Sequence, residues 1–502
     1  MQSTAHNFKA NTRAALADAS LQKALGLMRV GFIERRANAV ARLPEFDGLR
    51  DKATEIKNHV LENLDLYLEI FEQNVRKSGG AVHWCRDAEE ARKAILFICR
   101  LVGAETVTKG KSMIGEEIAI NEYLEQNGIT PVETDLGEYI IQLRREPPSH
   151  IIAPAIHVNK EQIADAFREH HTTLDPNRPL TDRADLLAEA RGQLREKFLA
   201  ADVGITGANF LIAETGSSII VTNEGNGDLT QTLPRIHIVL ASIEKIVPTL
   251  EDAGTILRVL ARSATGQEMS VYTTISTGAR READLDGPEQ YHVIMLDNGR
   301  SNMLGTEFQD ALRCIRCGAC LNHCPVYGTV GGHAYGWVYP GPIGAVVTPA
   351  LVGLEEAKEL PNASSFCGRC EEVCPMRIPL PGLMRHWRER EFERHLQPER
   401  ARRALKWWAR GARLPFFYRL GAWAAAWWLN RQGRAQGGRF NRLSSALEKI
   451  PVGKSLVKKW NVAAVLDGWT ATRDFPAPQS SRTFQKLWRG RRRIPFFGKQ
   501  AR

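Results

Sequence analysis

No stretch of about 18 or more consecutive apolar residues occurs in this 502-residue chain, so no membrane-spanning helix is expected. The opening MQSTAHNFKANTRAALADAS has neither an apolar signal core nor a transit pattern, which predicts a cytoplasmic protein. No G-x-G-x-x-G opens a helix after a strand; without that fingerprint neither flavin nor nicotinamide is expected. Cysteine is scarce outside one segment. Seven of the nine fall between 314 and 374, an odd and crowded set that suits a metal or redox site in a reducing compartment better than a disulfide framework. Acids are scarce at the C-terminal end. Residues 401–502 carry 23 Lys plus Arg against Glu448, Asp467 and Asp474, a surplus of +20; since the whole chain carries +10, the first 400 residues carry −10.

The length allows two or three domains, each with its own core. Residues 1–70 place apolar side chains at helical spacing (Leu49, Ile56, Val60, Leu64) and predict a helical N-terminal region. Over 71–298, β-rich runs such as AVHW, ETVTKG and TPVETD alternate with amphipathic stretches such as DAEEARKAILFICRLVG. That alternation predicts right-handed βαβ crossovers and a largely parallel sheet. ANFLIAET and SSIIVTNE, joined around Gly216, read as a hairpin on the same sheet. Residues 299–390 hold the cysteine segment, and 391–502 form a basic region with most of the tryptophans.

Cys314, Cys317, Cys320 and Cys324, followed by Pro325, have the C-x2-C-x2-C-x3-C-P spacing of a bacterial ferredoxin, in which the fourth Cys serves the other cluster. Aligned by its Cys-Pro end, SSFCGRCEEVCP matches Cys367, Cys370 and Cys374 to Cys317, Cys320 and Cys324, and Ser364 to Cys314. The crossover rule assigns Cys314, Cys317, Cys320 and Cys374 to cluster one. Cluster two receives Cys324, Cys367 and Cys370, with Ser364 a candidate fourth ligand. Two [4Fe-4S] clusters are expected, the second alternatively a [3Fe-4S] core, and that open place is where substrate access is expected. Ser364 also reads as a helix N-cap or loop serine, and structural zinc is the alternative for the cysteines. Cys85 and Cys99 read as core thiols. The 42 residues between Cys324 and Cys367 exceed the spacer of a compact two-cluster ferredoxin, predicting helices and an ordered loop.

CIRCGACLNHCPVY, GGHAYGWVYPGPIGAVVTP and SSFCGRCEEVCPMRIPL closely resemble the lactate utilisation protein B family, over nearly the whole chain. The resemblance implies an α/β LUD domain with a sheet like that of the sugar-phosphate isomerase and CoA transferase superfold. It further implies an α-helical ferredoxin-like [4Fe-4S] domain and a helical basic C-terminal region. It also implies an electron-carrying subunit, with A and C companions, in oxidation of L-lactate to pyruvate as a carbon source; the acceptor is not identified.

Two stretches of the α/β segment offer an anion site. TKGKSMIGEE brings Lys109, Lys111 and Ser112 to a strand end before a helix, and ETGSSIIVTNEGNGD brings Glu214, Thr215, Ser217, Asn223 and Glu224 around a glycine-rich turn. A capped helix and a solvated hairpin are the plain alternatives. For the tail, docking on a partner or on the acidic body, contact with the inner-membrane surface, and nucleic-acid binding are expected in that order. The rival function is an iron-sulfur redox sensor whose tail binds nucleic acid or membrane.

Overall fold

The aliphatic runs of the middle segment form ten strands in two sheets. The structure, a computed structural model, describes residues 3–434 together with 439–440, 475–476, 484 and 488. The strands are β1 (Ala81–Cys85), β2 (Thr106–Lys109), β3 (Thr130–Glu133), β4 (Val203–Gly207), β5 (Phe210–Ile212), β6 (Ser217–Thr222), β7 (Ile236–Ser242), β8 (Ile246–Val247), β9 (Tyr272–Ser276) and β10 (Gln290–Leu296). Six of them make a wholly parallel sheet in the order β1-β10-β7-β4-β2-β3. β7 is buried at every position, as a strand covered on both faces must be. Ile236, Ile238 and Leu240 pack with Ile95, Ile98 and Cys99 of helix Ala88–Leu101, while Val239 and Ala241 face the other side. Cys85 and Cys99 sit in this core, where burial pushes their thiols up to about 11 and about 12.

The hairpin at Gly216 departs from expectation. β5 and β6 pair antiparallel as predicted, but they belong to a separate four-stranded sheet in the order β8-β5-β6-β9. The reason is a shared core: Phe210, Ile212 and Ile219 pack on Ile256 and Val259 of helix Leu250–Ala264 and so face away from the parallel sheet.

The N-terminal region is helical: α1 (Phe8–Ala17), α2 (Ala19–Ala41), α3 (Phe46–Glu62) and α4 (Leu64–Lys77). The position expected to end it, residue 70, lies inside α4, whose Phe71 and Val75 cover the sheet face formed by Val239, Val293 and Met295. α2 and α3 instead clamp the cysteine segment. Arg36 Nη2 donates to the Val373 carbonyl at 2.9 Å, and Arg50 donates to the carbonyls of Glu372 (2.9 Å) and Cys374 (2.7 Å). These carbonyls end the one-turn helix Arg369–Glu372, where cations complement the exposed acceptors.

The long spacer is ordered, with helices Tyr327–Val330, Gly341–Val352 and Leu354–Ala357. Helix Leu380–Glu393 closes the segment and runs across the boundary expected at 390; its Trp387 stacks on Phe308 at 4.0 Å and donates to the Val346 carbonyl. The first 396 residues form one compact unit and Gln397–Arg502 another. In the second, helices Glu399–Ala412 and Pro415–Arg434 expose Trp407, Trp408, Trp423 and Trp427. The rest of the tail, including the final RGRRRIPFFGKQAR, lies outside the described residues apart from 439–440, 475–476, 484 and 488. Among the described residues no helix is long and apolar enough to cross a membrane.

Candidate metal centre and adjoining cavity

The two cysteine loops fold alike. Arg316 and Phe366, each just before a Cys, adopt left-handed φ values of 61° and 53°, and the glycines just after, Gly318 and Gly368, take 71° and 80°. Each loop then enters a single helical turn, Ala319–Asn322 or Arg369–Glu372. Ser364 therefore occupies in the second loop the place of Cys314 in the first.

The seven cysteines line two cavities. Cys314, Cys317, Cys320 and Cys374 share one with Ile315, Ile343, Met376 and Leu380. Cys324, Cys367 and Cys370 share the other with Ser364, Pro342 and Met384. The electrostatic neighbours divide likewise: Cys317 feels Cys374 and Cys314, whereas Cys370 feels Cys324 and Cys367. The sets adjoin, since Cys320 also feels Cys370.

Donor chemistry and spacing fit an iron-sulfur core. Tetrahedral zinc with Zn–S near 2.3 Å needs sulfurs about 3.8 Å apart. Among the described residues no three cysteine sulfurs lie within 4.8 Å of one another. Burial pushes the Cys374 thiol up to about 11 and Cys370 to about 12, and raises Cys317 and Cys320 as well. Holding such thiols as thiolates requires a cationic partner, and the first set has several. Arg36 faces Cys317, Arg50 faces Cys374, and Lys57, Lys245 and Arg316 face Cys314. Ser364 is a loop serine and caps no helix: its Oγ accepts from the Phe366 N–H at 3.1 Å, and Gly368 is the N-cap of the following helix. Cys367 alone among the nine is exposed.

A larger cavity of ≈ 270 Å³ opens beyond the C-terminal ends of β2, β4 and β6, the crevice where open α/β sheets carry ligands. It gathers Lys111 and Ser112 from one predicted stretch and Asn223 and Glu224 from the other. Ser112 Oγ is occupied in capping Gly115 N–H, and Lys111 Nζ donates to the Ile152 carbonyl. Two expected residues are elsewhere. Lys109 has no exposed side-chain surface and is paired with Glu133 (2.8 Å), Glu116 (3.1 Å) and Glu138 (3.8 Å), so its charge is already taken by carboxylates. Glu214 lies exposed at the turn end of the hairpin, outside the lining, with Thr215 beside it; Ser217 bonds to Thr215 and Thr277.

Lys245 and Arg316 also line the cavity, and sequence reasoning missed both. Lys245 follows β7 as Lys111 follows β2, so strand-end position was the available signal. Arg316 lies inside the cysteine loop, and nothing local marks it for the α/β cavity. Its guanidinium sits 4.3 Å from the Tyr339 ring, with Nη2 at 3.4 Å from Glu244. Arg316 and Ile151 line both this cavity and the first cysteine cavity. His150 fixes that shared wall: its Nδ1 accepts from the N–H groups of Ile152 and Ala153, leaving Nε2 to donate to Asn322 at 2.9 Å. Burial lowers His150 to about 4, which keeps this neutral tautomer.

Comparison with known proteins agrees with this division. Residues 68–296 match the LUD domain and residues 310–378 the 4Fe-4S dicluster domain. Lactate utilization protein B of Bacillus licheniformis is 45% identical over 462 residues, covering 91% of each chain. The proteins of the same name from Bacillus subtilis and Shouchella clausii are 45% and 43% identical, covering 89% and 95% of each chain. A solved DUF162 family protein from Deinococcus radiodurans aligns at 17% identity, over 46% of this chain and 98% of its own, with a TM-score of 0.24. An α/β LUD domain joined to a ferredoxin-type iron-sulfur domain, with this degree of likeness along nine-tenths of its length, this chain belongs to the lactate utilization protein B family.

Proposed function

We propose that this chain is the iron-sulfur electron-transfer subunit of a lactate-utilising system that oxidises L-lactate to pyruvate, working with A and C companion subunits. The observation that carries the reading is the division of seven cysteines between two adjoining cavities, with Cys374 joining the first loop's set. In it, Cys314, Cys317, Cys320 and Cys374 hold one [4Fe-4S] cluster. Cys324, Cys367 and Cys370 hold a second, completed by Ser364 or an exogenous group, or else left as a [3Fe-4S] core. Such clusters supply one-electron transfer. Oxidation of a 2-hydroxy acid to a 2-oxo acid releases two electrons and two protons, and this chain takes the electrons singly. Its residues keep the first site dry and cationic, through Ile343, Met376 and Leu380 and through Arg36 and Arg50. Exposed Cys367 gives the second site an edge facing a partner.

The test is iron and sulfide analysis with EPR of the anaerobically purified full chain, oxidised and reduced, alone and with its companions. About eight irons with two reduced [4Fe-4S] signals fit a completed second cluster; about seven with an oxidised [3Fe-4S] signal fit an empty fourth place. Reduction by L-lactate only when companions are present supports the relay. Clusters that dithionite reduces but lactate with companions does not would overturn it, and salt-sensitive DNA binding that follows cluster state would favour the sensor. The exposed tryptophans of the tail, with Arg410 and Arg431 over the rings of Trp407 and Trp427, are read as the surface that reaches a partner or an anionic membrane face. Cosedimentation with anionic vesicles that is insensitive to removal of residues 397–502 would refute the membrane part.

A further inference from the structure

We propose that the cavity beyond β2, β4 and β6 binds one small monocarboxylate of the 2-hydroxy or 2-oxo acid class, received by Lys245, Lys111 and Arg316, and that its occupancy tunes the redox centre at Cys314, Cys317, Cys320 and Cys374. That the cavity takes a small carboxylate stands on its lining; the 2-hydroxy or 2-oxo acid class and the tuning half rest on the electron-transfer reading.

Charge and hydrogen bonding make the cavity a receiver of anions. Behind it, Arg300 and Arg316 are matched by Glu117 and Glu244 in a buried group. Lys57 is satisfied by the carbonyls of Glu244 and Ile246. Lys245 is different. It is only 7% exposed, it lines the cavity, and among the described residues its Nζ has no hydrogen bond or ion pair. The carboxylate it adjoins, Glu244, already serves both arginines. The three N–H donors of Lys245 are left to whatever fills the cavity, water or an anion. Nε and Nη1 of Arg316 likewise have no hydrogen-bond acceptor. Lys111 spends one donor on the Ile152 carbonyl.

Acids line the cavity too, and among the described residues neither forms an ion pair with these donors. Asp135 is turned to the N–H groups of Gly137 and Glu138 as a helix cap. Glu224 is raised by burial, with Asp135 adding to it, while the Leu136 N–H and Lys111 act to lower it. Ile151, Ile152, Ile220, Leu240 and Leu260 supply an apolar wall for a short carbon chain. The volume, ≈ 270 Å³, falls below the range of about 300–1,000 Å³ that drug-sized ligands occupy. The cavity at Cys324, Cys367 and Cys370, where an open iron corner suggests substrate access, has no Lys, Arg or His in its lining.

Arg316 and Ile151 form the wall shared with the first cysteine set. Reduction adds one negative charge behind that wall and weakens the bound anion. By linkage the anion makes reduction harder: a tenfold loss of affinity on reduction corresponds to a midpoint lowered by about 59 mV at saturation.

The experiment uses anaerobically reconstituted full-length protein, with L-lactate, pyruvate and inorganic phosphate as probes in equilibrium dialysis. The expected result is one lactate or pyruvate per chain without competition from phosphate. Lys245→Met and Lys111→Met each weaken binding at least tenfold, while exposed Lys9→Met leaves it unchanged. If Lys245→Met fails to assemble, Lys111→Met decides the same point. Binding of phosphate in place of both carboxylates overturns the ligand class. No binding, or binding indifferent to the lysines, overturns the site. A midpoint potential unmoved by saturating carboxylate overturns the tuning half. Failure of the electron-transfer reading shows separately, as missing iron or absent lactate reduction with companions.

Discussion

Glu117→Gln should loosen the join between the α/β sheets and the cysteine segment more than any other single conservative change. The side chain has no exposed surface and accepts from Arg300 Nη1 (2.9 Å) and Nη2 (2.7 Å), Asn298 (2.6 Å) and Tyr339 (2.5 Å). Although burial acts to raise it, the Arg300 guanidinium and these donors hold the carboxyl below the usual carboxylate range. Arg300 also reaches Glu244 at 3.1 Å, and Arg316 reaches the same carboxylate at 3.4 Å. An amide at 117 leaves two buried guanidinium groups sharing one carboxylate and turns an NH₂ toward Arg300. Breaking a buried pair in this way costs about 3–5 kcal/mol, a fifth or more of a stability of roughly 5–15 kcal/mol. Tyr339→Phe removes one hydrogen bond to a charged acceptor and costs about 1.5–3 kcal/mol. Urea unfolding of anaerobic protein by far-UV circular dichroism should order the two variants accordingly, and iron should be released fastest from Glu117→Gln, because Tyr339 and Arg316 tie the cysteine loop to this group. A Glu117→Gln protein within about 0.5 kcal/mol of wild type would refute the reasoning.

Ser364→Cys should supply the missing thiolate, since the two loops share their backbone path; the expected outcome is about eight irons per chain and slower loss of iron in air. Gly332→Ala should abolish accumulation of folded protein. A Cβ there meets the Ser149 carbonyl, which is fixed in place by Tyr327 Oη at 2.7 Å, and solubility with circular dichroism checks it. Glu138→Gln should stabilise the protein at neutral and alkaline pH. Burial, with Glu133 beside it, raises the Glu138 carboxyl well above its ordinary value. Its contribution is therefore full below that ordinary value and is lost as pH rises through the raised one. The variant's stability should fall less between pH 5 and 9 than wild type's; an identical pH profile would remove Glu138 from the account.

The cysteine arithmetic was legible because ligand spacing is a local property: two-residue gaps, Gly318 and Gly368 in left-handed conformation, and closing prolines need no knowledge of the rest of the chain. Strand and helix alternation was legible for the same reason, since side-chain periodicity reports which faces are covered. The hairpin at Gly216 was legible as a hairpin, while its sheet was not, because a strand's pattern says that one face is buried and not against which neighbour. TKGKSM placed Lys111 at the cavity and misplaced Lys109. Lys109 closes β2 whereas Lys111 lies in the loop beyond it, and only the approach of Glu116, Glu133 and Glu138 shows which ammonium is already paired.

By itself, then, the sequence determined the spacing of the seven cysteines, the order of strands and helices, and the separation of a basic tail from an acidic body. Tertiary structure alone decided that α2 and α3 clamp the second cysteine loop, and that Lys245 and Arg316 line one cavity whose wall, at Arg316 and Ile151, is shared with the first cysteine set. The physical reason is range. Bond geometry and periodicity act over a few residues, whereas desolvation and charge pairing depend on which distant segments exclude water together.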